Sequence, residues 1–301
     1  MATKGKVLLT GASGLLGRQI YQCLKKSSWE VMGLAYSRGG EELVKADLLD
    51  FEKMREIMTD FKPAIVIHSA AERRPDKVQK DEDKARGLNV TATQELTRLC
   101  QELGSFLVYI STDYVFDGTS PPYRHDDAPN PLNTYGQLKL DGEKAVSSYI
   151  DSAIVRVPIL YGPVETLDES AVTILFKALL SNDPAPMSDY EKRYPTHTRD
   201  IGVFLEAFSS KVLTDREICR GSWHFGGSEV LTKYDMVLKM AKVFKLSSKH
   251  LIPVREPSGG APRPFNNEFD YSQTKKHFTM DITSFEDGIK TVLEPFLPPK
   301  E

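Results

Sequence analysis

Residues Thr10 to Gly17 read Thr-Gly-Ala-Ser-Gly-Leu-Leu-Gly, directly after the apolar run Val7-Leu8-Leu9 and directly before a helix-compatible stretch. A buried strand that enters a tight glycine turn and leaves it as a helix directs the helix's first amides at an incoming pyrophosphate. Gly11 then serves the turn, Gly14 admits the backbone to the phosphates, and Gly17 lets the helix pack closely on the strand. A glycine triplet alone is weak evidence. Much further along, the chain carries Tyr135-Gly136-Gln137-Leu138-Lys139, preceded by Ser111-Thr112. Together the two features point to a nicotinamide-dependent reductase scaffold.

The pattern around these motifs predicts strands over Lys6–Thr10, Trp29–Tyr36, Ala64–His68, Phe106–Ser111 and Ala153–Val157, with a short one near Val44–Ala46. Helices are expected over Leu15–Lys26, Phe51–Phe61, Lys77–Leu103 and Leu132–Tyr149. The run Ala-Ile-Val-Ile-His is apolar almost throughout, as a parallel strand covered on both faces should be. Alternating strands and helices imply an α/β fold, a Rossmann-type doubly wound parallel sheet. After Tyr161-Gly162-Pro163 prolines become frequent. Helices are expected near Asp168–Leu180, Arg199–Ser209 and Thr232–Phe244, and loops at Asp183–Pro186 and Pro253–Pro264. The expected division is a nucleotide-binding domain over 1–162 and a smaller C-terminal lobe over 163–301. Ile201–Phe208 and Trp223–Phe225 are candidates for returning to the main sheet.

Composition narrows the class. A net charge of −3 gives no reason to expect nucleic acid or an acidic membrane surface as partner. Cys23, Cys100 and Cys219 are odd in number and widely spaced, which fits neither a metal site nor a disulfide framework and suits a reducing cytoplasm. The first expected strand begins within a few residues of Met1, so no signal peptide is expected, and no apolar run reaches the roughly 18–20 residues that span a bilayer.

Tyr135 and Lys139, four apart on a helix, share one face. An ammonium beside a phenol favours the phenolate, lowering a pKa otherwise near 10. Tyr135 could then exchange a proton with a carbonyl or carbinol oxygen, Thr112 could bond that same oxygen, and Lys139 could also bond the nicotinamide ribose. Alone, a Tyr/Lys pair on a helix is more often a solvated face; the glycine turn and Ser-Thr strand end, in the expected order, favour the catalytic reading. Asp113 and Asp117 suit loop-capping carboxylates better than a metal site. The second strand ends Tyr36-Ser37-Arg38, with no acid before Glu41. A carboxylate there would bond the ribose diol of NAD, whereas Arg38 can pair with a 2′-phosphate, so NADP is expected over NAD. The alternative is that Arg38 is a surface cation. Arg73 and Arg74, after the fourth strand, either face phosphates or pair with Glu72 or Asp76.

Thr-Gly-x-x-Gly-x-x-Gly with Tyr-x-x-x-Lys resembles the extended short-chain dehydrogenase/reductases. Ser111–Gly118, Pro131–Glu143 and Ala261-Pro262-Arg263-Pro264 are similar to dTDP-4-dehydrorhamnose reductases. Ala70–Asp76, Arg156–Gly162, Glu169–Thr173, Tyr194–His197 and Leu231–Tyr234 resemble the regulatory β subunits of methionine adenosyltransferase, which share the reductase fold. The likeness runs from about Lys6 to Leu297.

That resemblance implies an NADP-binding protein that associates with the catalytic subunit making S-adenosylmethionine. By position it implies cofactor contacts at Ser13, Gly14, Leu15 and Leu16, within the turn bounded by Gly11 and Gly17. It adds Tyr36, Ser37 and Arg38, then Asp47 and Leu48, then Ser69, Ala70, Ala71 and Arg73, with Tyr135, Lys139 and Leu160 near the nicotinamide. Ser37 stands where the family leads one to expect a second arginine, and Asp47 where an asparagine is expected. The residues Glu294–Glu301 lack the basic, aromatic tail through which that family engages its partner, which leaves the mode of docking open. Two functions follow: a regulatory subunit of a hetero-oligomer with little turnover, or an NADPH-dependent reductase of a 4-keto sugar nucleotide using Thr112, Tyr135 and Lys139.

Overall fold

The computed structural model describes residues 3–37, 42–181 and 183–297. Its elements run β1 (Lys6–Thr10), α1 (Leu15–Lys26), β2 (Glu30–Ala35), β3 (Leu43–Lys45), α2 (Phe51–Phe61), β4 (Ile65–His68), α3 (Pro75–Lys80), α4 (Glu82–Arg86), α5 (Ala92–Leu103), β5 (Phe106–Thr112), α6 (Thr134–Ser147) and β6 (Ser152–Val157). They continue as β7 (Leu160–Tyr161), β8 (Ala185–Ser188), β9 (Thr196–His197), α7 (Thr198–Thr214), β10 (Gly221–His224), α8 (Lys233–Phe244), β11 (Leu251–Val254), α9 (Ser272–His277) and α10 (Phe285–Leu293).

Seven strands form one parallel sheet in the order β10-β6-β5-β4-β1-β2-β3. The strand order reverses between β1 and β4, where doubly wound folds place their ligands. Alternation along the strands feeds two cores. Val7, Leu9, Ile65 and Ile67 face α1 and α7, while Leu8, Val66, Leu107 and Tyr109 face α2, α5 and α6. A third apolar cluster gathers Phe176, Met236, Met240, Phe285 and Ile289 from the later helices. The fold is therefore the expected Rossmann-like one, and β10 reaches the main sheet as its edge strand. Ile201–Phe208 lies in α7, which packs on that sheet instead of extending it. Among the described residues, no helix is long and apolar enough to cross a membrane.

Three local expectations are corrected. The helix expected over Lys77–Leu103 is broken at Asp81, whose backbone leaves the helical region (φ −144°, ψ 72°) and whose carboxylate accepts from the Lys84 amide to restart the chain as α4. Gly87–Thr91 then forms a π-helical turn before α5. Asp168–Leu180 is not an α-helix but two 3₁₀ segments, Leu167–Glu169 and Thr173–Leu180, divided by an extended Ser170 whose hydroxyl donates to the Leu160 carbonyl at 2.7 Å. Ala185–Ser188 and Leu251–Val254, read partly as loops for their prolines, pair as a parallel two-stranded sheet. Both of its strands are edges, which tolerate proline.

A side chain starts the helix that carries Tyr135 and Lys139. Asn133 accepts from the Gly136 amide at 2.9 Å to begin α6. On α6, Glu143 receives two bonds from Arg156 of β6, at 3.0 and 2.8 Å, and both side chains are at most 5% exposed. Removing one member of such a pair leaves a charge buried alone. Arg156→Met is expected to lower stability in urea unfolding by about 3–5 kcal/mol, and the double variant with Glu143→Leu to recover most of it. An equal loss in the double variant would show that the packing, not the charge pair, is what matters.

Candidate functional site

The glycine turn adopts the geometry its sequence demands. Gly11 has φ +69°, and a Cβ there would lie 2.9 Å from the Ala70 backbone. A Cβ on Gly17 would lie 2.1 Å from the Gly11 carbonyl oxygen, so α1 rests on its own entry turn. Gly14 caps α1 with no side-chain bond, and the first helical turn holds no acid. That leaves the helix's first amides and its positive dipole end for an anion. Arg18 reinforces the site by donating to the Ser13 carbonyl at 3.1 Å. Leu15 and Leu16 are buried, so their side chains are withdrawn from solvent at the turn.

Across the crevice, the loop after β4 is pinned from below. Thr10 and His68 are register partners, their side chains 2.7 Å apart, and the other His68 ring nitrogen lies 3.0 Å from the Thr93 hydroxyl. Burial, assisted by the Lys139 charge, pushes His68 down to about 3, so the ring is neutral at physiological pH. The Thr10 hydroxyl accepts from the Ser69 and Ala70 amides at 3.2 and 3.3 Å. Asn89, turned inward by the π-helical turn, bonds both the amide and the carbonyl of Glu72 at 2.8 and 2.9 Å. The Ser69–Ala70 backbone is thus held against Gly11 of the glycine turn. Among the described residues, neither Arg73 nor Arg74 makes a close ion pair with Glu72 or Asp76, although the Glu72 charge acts favourably on Arg73. Asp76 takes Arg263 at 3.0 Å, while the Glu72 carboxylate accepts from the Arg74 amide.

At the C-terminal ends of β5 and the start of α6, Thr112 is buried and donates to Asp113 at 3.0 Å. Tyr135 is half-buried, its ring 5.9 Å from Tyr114 and nearly edge-on. Lys139 is buried, with Nζ donating to the Ile110 carbonyl at 2.8 Å and lying 3.8 Å from the Tyr109 ring centre. The expected lowering of the Tyr135 pKa is overturned here: burial lifts the phenol, against a hydrogen bond with Thr112 that pulls it down. Burial also pushes Lys139 down to about 7, with Glu143 drawing it back up. Asp113 is pushed up to about 6 by burial against the pull of Arg193. Asp117 instead organises its loop: despite the upward push of burial, bonds from Tyr123, Thr119 and Asn130 hold it well below the carboxylate range.

A sequence model of the RmlD substrate binding domain matches residues 5–297. Methionine adenosyltransferase 2 subunit beta of Xenopus tropicalis is 46% identical over 298 residues, covering 98% of this chain and 89% of the relative. Among solved structures, a hypothetical dTDP-4-dehydrorhamnose reductase from Sulfolobus tokodaii is 29% identical with a TM-score of 0.81, over 94% of this chain and 98% of its own. The reductase from Bacillus anthracis, solved in complex with NADP, has a TM-score of 0.83 at 24% identity, over 98% of this chain and 99% of its own. The chain belongs to the methionine adenosyltransferase β-subunit family, on the RmlD-type reductase fold.

The remaining family positions are distributed unevenly around the crevice. Tyr36 and Ser37 are exposed beyond β2, with Tyr36 at 68% exposure, and Asp47 is exposed and caps the Leu49 amide at 2.9 Å over a buried Leu48. Arg38, Glu41 and the terminal Pro298–Glu301 lie outside the described residues. Leu160, in β7, is half-buried. Arg18, His68, Asn89 and Tyr109 were not singled out from the sequence. Of these only His68 carries a local signal, a polar residue closing an apolar strand. A cavity of about 460 Å³ lies beside α1, lined by Ala12, Arg18, Tyr21 and Leu43 among others, and neither Thr112 nor Tyr135 lines it.

Lys139 makes the site pH-sensitive. Its folded value near 7 lies below the ordinary 10.5, so between these limits the unfolded chain binds more protons and stability rises with pH. The destabilisation is fully present below the lower limit and gone above the upper one. The Tm of Lys139→Met minus that of wild type is expected to fall by about 5 °C from about pH 7 to about pH 10, read by calorimetry. A difference independent of pH would place the Lys139 charge in water.

Proposed function

We propose that the chain is an NADP-binding regulatory subunit of methionine adenosyltransferase, joining the catalytic subunit in a hetero-oligomer and tuning S-adenosylmethionine synthesis. The observation that carries this reading is 46% identity over nearly the full chain to a relative named as subunit beta of that enzyme. The crevice supports the cofactor part. Gly11, Ser13, Gly14, Leu15, Leu16 and Gly17 would take the diphosphate, with Ser69, Ala70, Ala71 and Arg73 on the facing wall. Tyr36, Ser37, Arg38, Asp47 and Leu48 would take the adenosine end, and Tyr135, Lys139 and Leu160 the nicotinamide end. No acid stands at Tyr36-Ser37-Arg38, which favours NADP over NAD. Size-exclusion co-migration with the catalytic subunit of the same organism, with and without NADP, tests the reading. A stable complex is expected; clean separation under both conditions contradicts it.

A second reading, NADPH-dependent reduction of a 4-keto sugar nucleotide, is favoured by one observation: Thr112, Tyr135 and Lys139 are all present on β5 and α6. The cofactor would supply the hydride. A phenol held protonated by burial suits donation of a proton to a ketone oxygen bonded by Thr112. Under this reading NADPH is oxidised with dTDP-4-dehydrorhamnose, and Tyr135→Phe lowers the rate at least about 100-fold, the scale of a lost general acid. No oxidation by wild type, or equal rates in the variant, removes it and leaves the regulatory reading standing.

A further inference from the structure

The segment 163–170 bridges the two walls of the crevice. From the phosphate-turn side, Arg18 donates to the Glu169 carboxylate at 2.6 Å and to the Pro163 carbonyl at 3.1 Å, and lies 3.6 Å from Glu165. From the opposite wall, Arg73 donates to the Glu169 carbonyl and Arg74 to the Asp168 carbonyl at 3.3 Å. Ser170 anchors the end of the segment through its bond to the Leu160 carbonyl. Three guanidiniums from two sides of the switch point are therefore engaged by one stretch carrying Glu165, Asp168 and Glu169. The same Arg18 guanidinium is bonded to the Ser13 carbonyl of the phosphate turn.

A diphosphate at residues 13–16 would bring two negative charges close to Glu169 and would compete for the same arginines, which bind phosphate and carboxylate alike. We propose that 163–170 is a latch across the dinucleotide crevice, held shut by Arg18, Arg73 and Arg74 and opened when a dinucleotide's phosphates take over those arginines. This rests on the NADP reading above. The latch lowers dinucleotide affinity and couples occupancy of the crevice to the position of 163–170 on the protein's surface. Glu169 is the competing anion, so neutralising it favours the open, ligand-binding form.

The test is calorimetric titration of the full chain with NADP, comparing wild type with Glu169→Gln, alongside hydrogen exchange of the wild type. The latch predicts about three- to tenfold tighter binding by Glu169→Gln, the range a partly buried ion pair carries. It also predicts faster exchange at 163–170 when NADP is added to wild type. Binding by the variant alone, with none by wild type, supports the same conclusion. Measurable wild-type binding with unchanged or weaker affinity in the variant overturns the latch and leaves the NADP reading intact. No binding by either protein overturns both.

Discussion

Helix α1 sits directly on the turn that introduces it, and the crevice takes its shape from that contact. With no side chain at Gly17, the helix approaches the Gly11 carbonyl at a separation any Cβ would violate. The close approach points the first turn of α1 out of the sheet edge between β1 and β4. The pairing of β1 with β4 brings Gly11 against the Ala70 backbone, so the turn and the loop after β4 are in backbone contact. Larger residues at these positions would separate helix from strand and wall from wall.

A layer of buried polar groups beneath the crevice carries the second constraint. Thr10, His68, Thr93 and Asn89 form a chain of hydrogen bonds from β1 through β4 to α5 and the π-helical turn. A neutral His68 can serve this chain, whereas a protonated one would add a charge beside Lys139. Lys139 is in turn close to the buried Glu143–Arg156 pair, which ties α6 to β6. Of the residues of the proposed nicotinamide end, Lys139 therefore sits among these buried polar groups. Such packing gives Lys139 a part in the fold in addition to the part the reductase reading assigns it.

The parts of this structure that were legible in the sequence are those set by neighbours along the chain. The run Val7-Leu8-Leu9 into Thr10–Gly17 specifies strand, turn and helix within a dozen residues, and Phe51–Phe61 forms a helix over the expected span. The rest depends on distant partners. Arg18 meets Glu169 across 151 positions, and nothing local to either residue announces the pair. The π-helical turn at Gly87–Thr91 exists where Asn89 must turn inward to hold Glu72, a demand made by the loop after β4 and invisible in helical periodicity. The Tyr135 expectation failed for a related reason. Spacing put a lysine on the same helix face, but burial of the phenol and the engagement of Lys139 by Ile110 and Tyr109 are properties of the packed state. The family relationship, by contrast, was carried by short segments spread from Ala70 to Tyr234 and could be read without any of these contacts.

The central claim is that this fold binds a dinucleotide at the strand-order reversal between β1 and β4. The most direct measurement is the position of NADP in a crystal of the protein grown with it. The account predicts diphosphate density within hydrogen-bonding distance of the amides of residues 13–16, facing Ser69–Arg73. Density confined to another site, such as the cavity beside Tyr21 and Leu43, would contradict it.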